Sequence, residues 1–229
     1  SAVTQITVVL GLLAIVGGLS AERRLIAVTG AVTVVALLLG AVLIGDGYFS
    51  RTDGGLLALA WLVGMIVIGK SGTDSALGKR WDGPAIRAGG RVVTFLALVG
   101  LGATVAVESF TRAAMALGVP EYLLSFFVLA AGTSLPELVV DLKALRRGAG
   151  RLAMGDLLGS SFVDATLSPA VGPMLFPTAL SDGLARPSLV VAAVVVVVTI
   201  VLVAKPAPRW PIGLLLIGLY LALYPLLLT

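Results

Sequence analysis

Apolar residues run through this chain in long stretches separated by short polar turns. A helix needs about 20 mostly apolar residues to cross a bilayer core about 30 Å thick. Eight stretches meet or approach that length: 1–20, 25–45, 55–69, 92–111, 121–143, 154–177, 187–204 and 210–228, lettered A to H. Segment C is short, so its helix is expected to extend into the polar residues on either side. Segment G carries Val190, Val191, Ala192, Ala193 and then five valines to Val198; it is apolar all round and reads as lipid-facing bulk. The longest polar stretch, 70–91, divides the chain into an N-terminal part, 1–69, and a C-terminal half, 92–229. The pattern predicts an all-α, polytopic membrane protein of about eight transmembrane helices.

Composition agrees with that pattern. Hydrophobic residues make up 59% and charged residues 12%, against roughly 45–50% and about 25% in average soluble domains. A soluble enzyme, a nucleic-acid-binding domain and a disordered chain do not fit, so the expected surroundings are a lipid bilayer and no nucleic acid. Cys and His are both absent, which removes disulfides, the usual zinc sites and any histidine acid–base catalyst. No enzyme activity and no resident cofactor are expected.

The net charge of +4 matters less than its placement. Short cytoplasmic loops collect Lys and Arg. The loops after A, C, E and G hold 13 basic residues, whereas those after B, D and F hold only Arg51, Arg112 and Arg186. This alternation supports eight spans and puts the 70–91 loop in the cytoplasm and both ends of this chain outside. Lys79-Arg80-Trp81 in that loop suits an anionic lipid interface. The expected location is the plasma (cell) membrane. No basic flank precedes segment A, so no secretory signal is visible. Ser1 leads straight into apolar sequence, and the chain is expected to lack an N-terminal portion.

Charges inside a bilayer are costly and mark function by default. Most of the acidic residues lie in loops or at segment ends; the exceptions are Glu108, Glu137, Asp141, Asp156 and Asp164. Glu108 is near the end of D, where solvation accounts for it. Glu137 lies in Ala130-Ala131-Gly132-Thr133-Ser134-Leu135-Pro136-Glu137. Thr133 and Glu137 are four apart and share a helix face. Pro136 lacks an N–H and frees a carbonyl one turn back. Segment F repeats the design: Ser160 and Asp164 are four apart, and Pro169 and Pro173 are expected to break the second half of the helix. Both places offer carboxylates, hydroxyls and loose carbonyls, the oxygen donors that hard cations take. Two facing carboxylates could hold one divalent cation, two monovalent cations or protons. The hydroxyls alone could equally be packing features that bond to the preceding turn.

Transporters are often built from inverted repeats. Residues 1–7 compare with 160–166: Ser1 with Ser160, Gln5 with Asp164, Thr7 with Thr166. By the loop rule A and F run in opposite senses, as an inverted repeat requires. B and C would then correspond to G and H, and E would have no counterpart in this chain.

The Gly132-Thr133-Ser134-Leu135-Pro136-Glu137 run, followed by Gly155-Asp156 and Gly159-Ser160, resembles the second α-repeat of the calcium/cation antiporters, the sodium/calcium exchanger superfamily. Residues 1–11 resemble the tail of the first α-repeat. The resemblance implies an inverted-repeat antiporter fold of about ten helices, here lacking its first helices, with ion sites between the two repeats. It implies Thr133, Ser134 and Glu137 as ligands from E, a backbone carbonyl from Ala130, Ser160 and Asp164 from F, and Ser1 and Gln5 from A. This sequence departs from the family pattern at Asp156, Ser161, Ala2, Gln5 and Asp141, which leaves the transported ions open. Asp141 is either an acid on the ion path or an interfacial one; the latter is the commoner use near helix ends. The expected function is secondary antiport of Ca2+ against Na+ by alternating access. Ca2+/H+ exchange is one alternative. The other is a non-transporting membrane fragment that needs a missing N-terminal segment.

Overall fold

Local stop and start signals decide where each apolar stretch becomes a helix. The computed structural model describes residues 1–17, 23–71, 130–180, 183–204 and 209–226, with isolated positions between 90 and 118. Segment A forms α1 (Ala2–Val16), whose stretch Gln5–Val9 widens into a π-turn. B forms α2 (Arg23–Leu43) and closes in a 3-10 turn at Ile44–Asp46. C forms α3 (Arg51–Ser71), longer than its apolar stretch as expected. Its start is a reciprocal capping pair. The Ser50 N–H donates to Asp53 Oδ2 at 2.9 Å, and the Asp53 N–H donates to Ser50 Oγ at 3.2 Å, so side chains satisfy donors that a helix start leaves open.

E and F are not single rods. E comprises α4 (Ala130–Thr133) and α5 (Leu135–Arg146), interrupted at Ser134. F comprises α6 (Gly150–Ala165) and α7 (Leu167–Leu175), interrupted at Thr166, whose backbone (φ −129°, ψ −79°) leaves the helical region. Pro136 and Pro169 each sit in the first turn of the helix that follows, where a missing N–H costs nothing. Pro173 differs from the expectation. It lies inside α7 without breaking it, because the helix has already restarted at Leu167 and only one bond is forfeited. G forms α8 (Ala185–Ala204) and H forms α9 (Arg209–Leu226). Three of these helices are long and apolar enough to cross a membrane, over Arg23–Asp46, Arg51–Ser71 and Ala185–Val203. The Lys79-Arg80-Trp81 tract and most of D lie outside the described residues.

The chain divides into two compact units, Ser1–Thr73 with Ser134–Thr229, and Asp74–Thr133. In the second, the described positions of D are helical. Glu108 is exposed and pairs with Arg112 one turn on, consistent with a solvated helix end.

In the first unit, α5 and α6 form an antiparallel hairpin closed by a Schellman turn. The Ala149 N–H donates to the Ala144 carbonyl at 2.9 Å and the Gly148 N–H to that of Leu145 at 3.0 Å. Gly148 has φ +75°, a conformation that favours glycine at this position. Elsewhere α2 packs along α8, α3 against α7, α1 against α9, and α6 against both α1 and α2. Segment G is therefore not plain lipid-facing bulk. Ala192, Ala193, Val195, Val196 and Thr199 are buried while Val190, Val194, Val197 and Val201 are exposed. Its composition shows no preferred face; the face is chosen by its partner, whose Gly30 and Gly40 admit Ile200 and Leu189.

One offset, 159 residues, recurs through this packing. It carries Thr7 to Thr166, and each hydroxyl donates to the carbonyl four residues back, of Val3 at 2.5 Å and of Phe162 at 2.7 Å. It carries the last residue of α1, Val16, to that of α7, Leu175. It carries Gly54 to Gly213. A Cβ on Gly54 would lie 2.7 Å from the Ala170 carbonyl oxygen, and one on Gly213 would collide with that of Gly11; Gly11 and Ala170 are again 159 apart. A two-residue ladder, β1 (Tyr48–Phe49) with β2 (Thr178–Ala179), joins the turn after B to the turn after F. Those turns therefore share one side, as the alternation of basic loops requires.

The two glycine crossings give a direct test. Gly54→Ala and Gly213→Ala should each cost roughly 1–3 kcal/mol by overpacking and lower the thermal midpoint in detergent. Gly55→Ala, next in the chain but facing open space, should not.

Candidate functional site

The π-turn of α1 brings Gln5 against α6. Gln5 is 1% exposed, and its Oε1 accepts from Ser160 Oγ at 3.2 Å and from Ser161 Oγ at 2.9 Å. Each serine hydroxyl also lies within reach of the Leu157 carbonyl, at 3.2 and 2.8 Å. A hydroxyl has one proton to give and lone pairs left over, so these serines can hold Gln5 and still offer oxygen to a ligand. Gln5 and Ser160 were both expected from sequence, and the structure joins them. Ser161 was legible only as a departure from the family pattern; the signal that could have found it is two adjacent hydroxyls facing a buried amide.

Asp164 follows Ser160 by one turn. Its Oδ1 accepts from Ser168 Oγ at 3.4 Å across the interruption at Thr166, while its Oδ2 is buried with no hydrogen-bond partner. Ser1 begins α1 within electrostatic range of Asp164. Ser1, Gln5, Ser160 and Asp164 thus gather where α1 crosses α6.

Glu137 reaches the site from the other arm of the hairpin. It lies in the first turn of α5, where the helix dipole favours a negative charge. Its Oε2 is buried and unpartnered. One turn further along this arm, Asp141 lies within hydrogen-bond reach of Asp156 on the facing arm and feels the charge of Glu137 more weakly. With Asp141 facing Asp156, one turn back along α5 meets one turn forward along α6, since both rise 1.5 Å per residue. Glu137 therefore stands level with Ser160, and Asp164 lies one turn beyond. Ser134, at the start of α5, is buried. Ala130 and Thr133 belong to the other unit, where Thr133 Oγ1 donates to the Ala130 carbonyl at 3.1 Å.

Asp141 does not behave as an interfacial anchor. It is 0% exposed and neither carboxylate oxygen has a hydrogen-bond partner. Sequence also gave no hint of the buried bond from Thr4 Oγ1 to Tyr220 Oη, 3.3 Å long, which ties α1 to α9. Among the described residues no three acidic side chains converge closely enough to hold a metal by themselves. A cation here would draw on hydroxyls, carbonyls or water as well.

Comparison with known proteins now adds a second line of observation. Residues 88–228 match the family described as sodium/calcium exchanger protein. An uncharacterized membrane protein of Methanocaldococcus jannaschii is 28% identical over 177 residues, covering 76% of this chain and 58% of that protein. The sodium/calcium exchanger MaX1 of Methanosarcina acetivorans is 33% identical over 91 residues, 40% of this chain and 26% of its own length. A solved structure of the sodium-calcium exchanger NCX_Mj, soaked with 2.5 mM Na+ and 1 mM Sr2+, superposes with a TM-score of 0.63 at 27% identity, covering 98% of this chain and 73% of that one. The chain thus spans under two thirds of the length of these curated relatives.

The hub at Gln5 can be tested apart from any ion. A double-mutant cycle between Gln5→Ala and Ser161→Ala should give a coupling of about 0.5–1.5 kcal/mol in unfolding free energy, the usual net worth of a hydrogen bond. The cycle between Gln5→Ala and Ser160→Ala should give less, because that bond is longer.

Proposed function

Because the chain belongs to the sodium/calcium exchanger protein family, we propose that it is the part of a secondary antiporter that binds Ca2+ and exchanges it for Na+ across a membrane. One observation carries the reading. Two acids on facing arms of an interrupted hairpin, Glu137 and Asp164, each keep a buried carboxylate oxygen without a partner, in a protein whose surroundings are apolar. A bare carboxylate in such a place is costly unless a cation or proton joins it.

Glu137 is the principal Ca2+ ligand in this proposal, with Ser134 from the start of its own helix. Asp164, Ser160, Ser1 and Gln5 supply the overlapping site for the competing ion. Either cargo neutralises the same carboxylates, so an unloaded site stays charged and does not cross. Helices E and F are interrupted at Ser134 and Thr166, as the half-helices of transporters are. The recurrent 159-residue offset supports an inverted repeat that relates α1, α2 and α3 to F, α8 and α9. Alternating access then follows from rocking of the outer helices about α1 and the hairpin. The 70–91 loop is placed in the cytoplasm and the ends of this chain outside, in the cell membrane.

Reconstitution into liposomes tests this. An outward Na+ gradient should drive Ca2+ uptake, and Glu137→Gln should lower Ca2+ affinity at least ~10-fold, the effect of losing roughly 1.5–3 kcal/mol from one charged ligand. Uptake that ignores Na+ and follows an imposed pH gradient would replace Na+ with H+ as the coupling ion. Full Ca2+ affinity in Glu137→Gln would remove the central residue.

A further inference from the structure

We propose that Asp141 and Asp156 form a second divalent-cation station, on the hairpin between α5 and α6, one turn nearer the closing turn than Glu137 and Ser160. It is separate from the site of Glu137 and Asp164, and it uses two acids where the family resemblance leads one to expect uncharged residues.

The argument begins with Asp141. It is 0% exposed, both its oxygens are buried, and the group within hydrogen-bond reach of them is another carboxyl, that of Asp156. A carboxylate that were merely structural would be expected to accept from backbone N–H groups or a basic side chain. The nearby basic residues do neither: Lys143, Arg146 and Arg147 are exposed at the end of the hairpin. What Asp141 meets, besides burial, is the carboxyl of Asp156 within hydrogen-bond reach and, more weakly, the charge of Glu137. Two carboxylates facing each other across a helix pair repel unless something positive sits between them.

A single shared proton would satisfy one of the lone pairs on offer. A divalent cation balances both charges and engages several oxygens at once, and it accepts water for the rest of its shell. Asp156 is exposed while Asp141 is not. The geometry is that of a station open on one side and closed on the other. Its spacing from Glu137 is four residues, about 6 Å along the helix, so an ion at the station and one at the Glu137 site would feel each other. Loading this station would favour release from the Glu137 site.

Equilibrium binding of radioactive Ca2+ to the purified protein in detergent tests this. The changes are made at Asp156, which is exposed, to spare the buried side of the pair. In the Glu137→Gln background one Ca2+ per chain should remain. Adding Asp156→Asn should weaken that binding at least about tenfold, because one of two charged ligands is lost, and Asp156→Glu should recover part of it. If Glu137→Gln alone abolishes all binding shown by the unaltered protein, the second station is overturned and the Glu137 site stands. If Asp156→Asn leaves the residual binding unchanged, the station is likewise overturned. If Glu137→Gln has no effect but Asp156→Asn removes binding, the station stands and the assignment of Glu137 falls.

Discussion

Polar groups in an apolar surrounding must be satisfied from inside the protein, and most of this structure follows from that constraint. With little water to bond to, each hydroxyl, amide and interrupted carbonyl must find a partner in the fold or await a ligand. Thr7, Thr33, Ser71 and Thr166 each donate to the carbonyl one turn back, and Thr4 finds Tyr220. Gln5 takes two serine donors. Against this background of satisfied groups the carboxylates of Glu137, Asp141 and Asp164 stand out, since each keeps at least one buried oxygen with nothing bonded to it. The other such atoms among the described residues, on Thr29, Trp61 and Thr199, belong to uncharged side chains outside the hairpin.

The helices around that hairpin meet through small residues. Lipid tails are as apolar as leucine, so helix association in a bilayer rests on close backbone approach and specific bonds rather than on hiding apolar surface. Gly54 against Ala170, Gly11 against Gly213, and Gly64 beneath the ring of Phe162 are such approaches. Gly30 and Gly40 of α2, which admit Ile200 and Leu189, likewise explain why α8 buries one face despite being apolar all round. The recurrence of these contacts at one offset means the same crossing is made twice, and any deformation that loosens one has an equivalent at the other.

The sequence made the apolar segments legible because bilayer thickness imposes a length, and it made the acids legible because buried charge is rare. It showed less where the deciding partner lies far along the chain. The inward face of G could not be seen in a run of valines, because glycines in B select it. The interruptions in E and F were anticipated from proline, but each lies ahead of its proline, at Ser134 and Thr166, since a proline is best tolerated in a first turn. Asp141 reads as an ordinary helix-end acid until α6 is folded against it. Ser161 reads as a missing amide until Gln5 is seen to supply the amide from α1.

That exchange of groups has a consequence for charge. Residues 5 and 164 occupy equivalent places under the 159-residue offset, yet one is an amide and the other an acid. The Gln5 carbonyl oxygen is already engaged by two serine donors, so a cation that took it would have to turn both hydroxyls away. The serines are the better ligands, because each keeps lone pairs while donating. Gln5 thus serves first to orient Ser160 and Ser161, and among the described residues around it the negative charge lies on α5 and α6. Among the described residues, the carboxylates of this region are carried by α5 and α6, and α1 meets them with the uncharged Gln5 side chain.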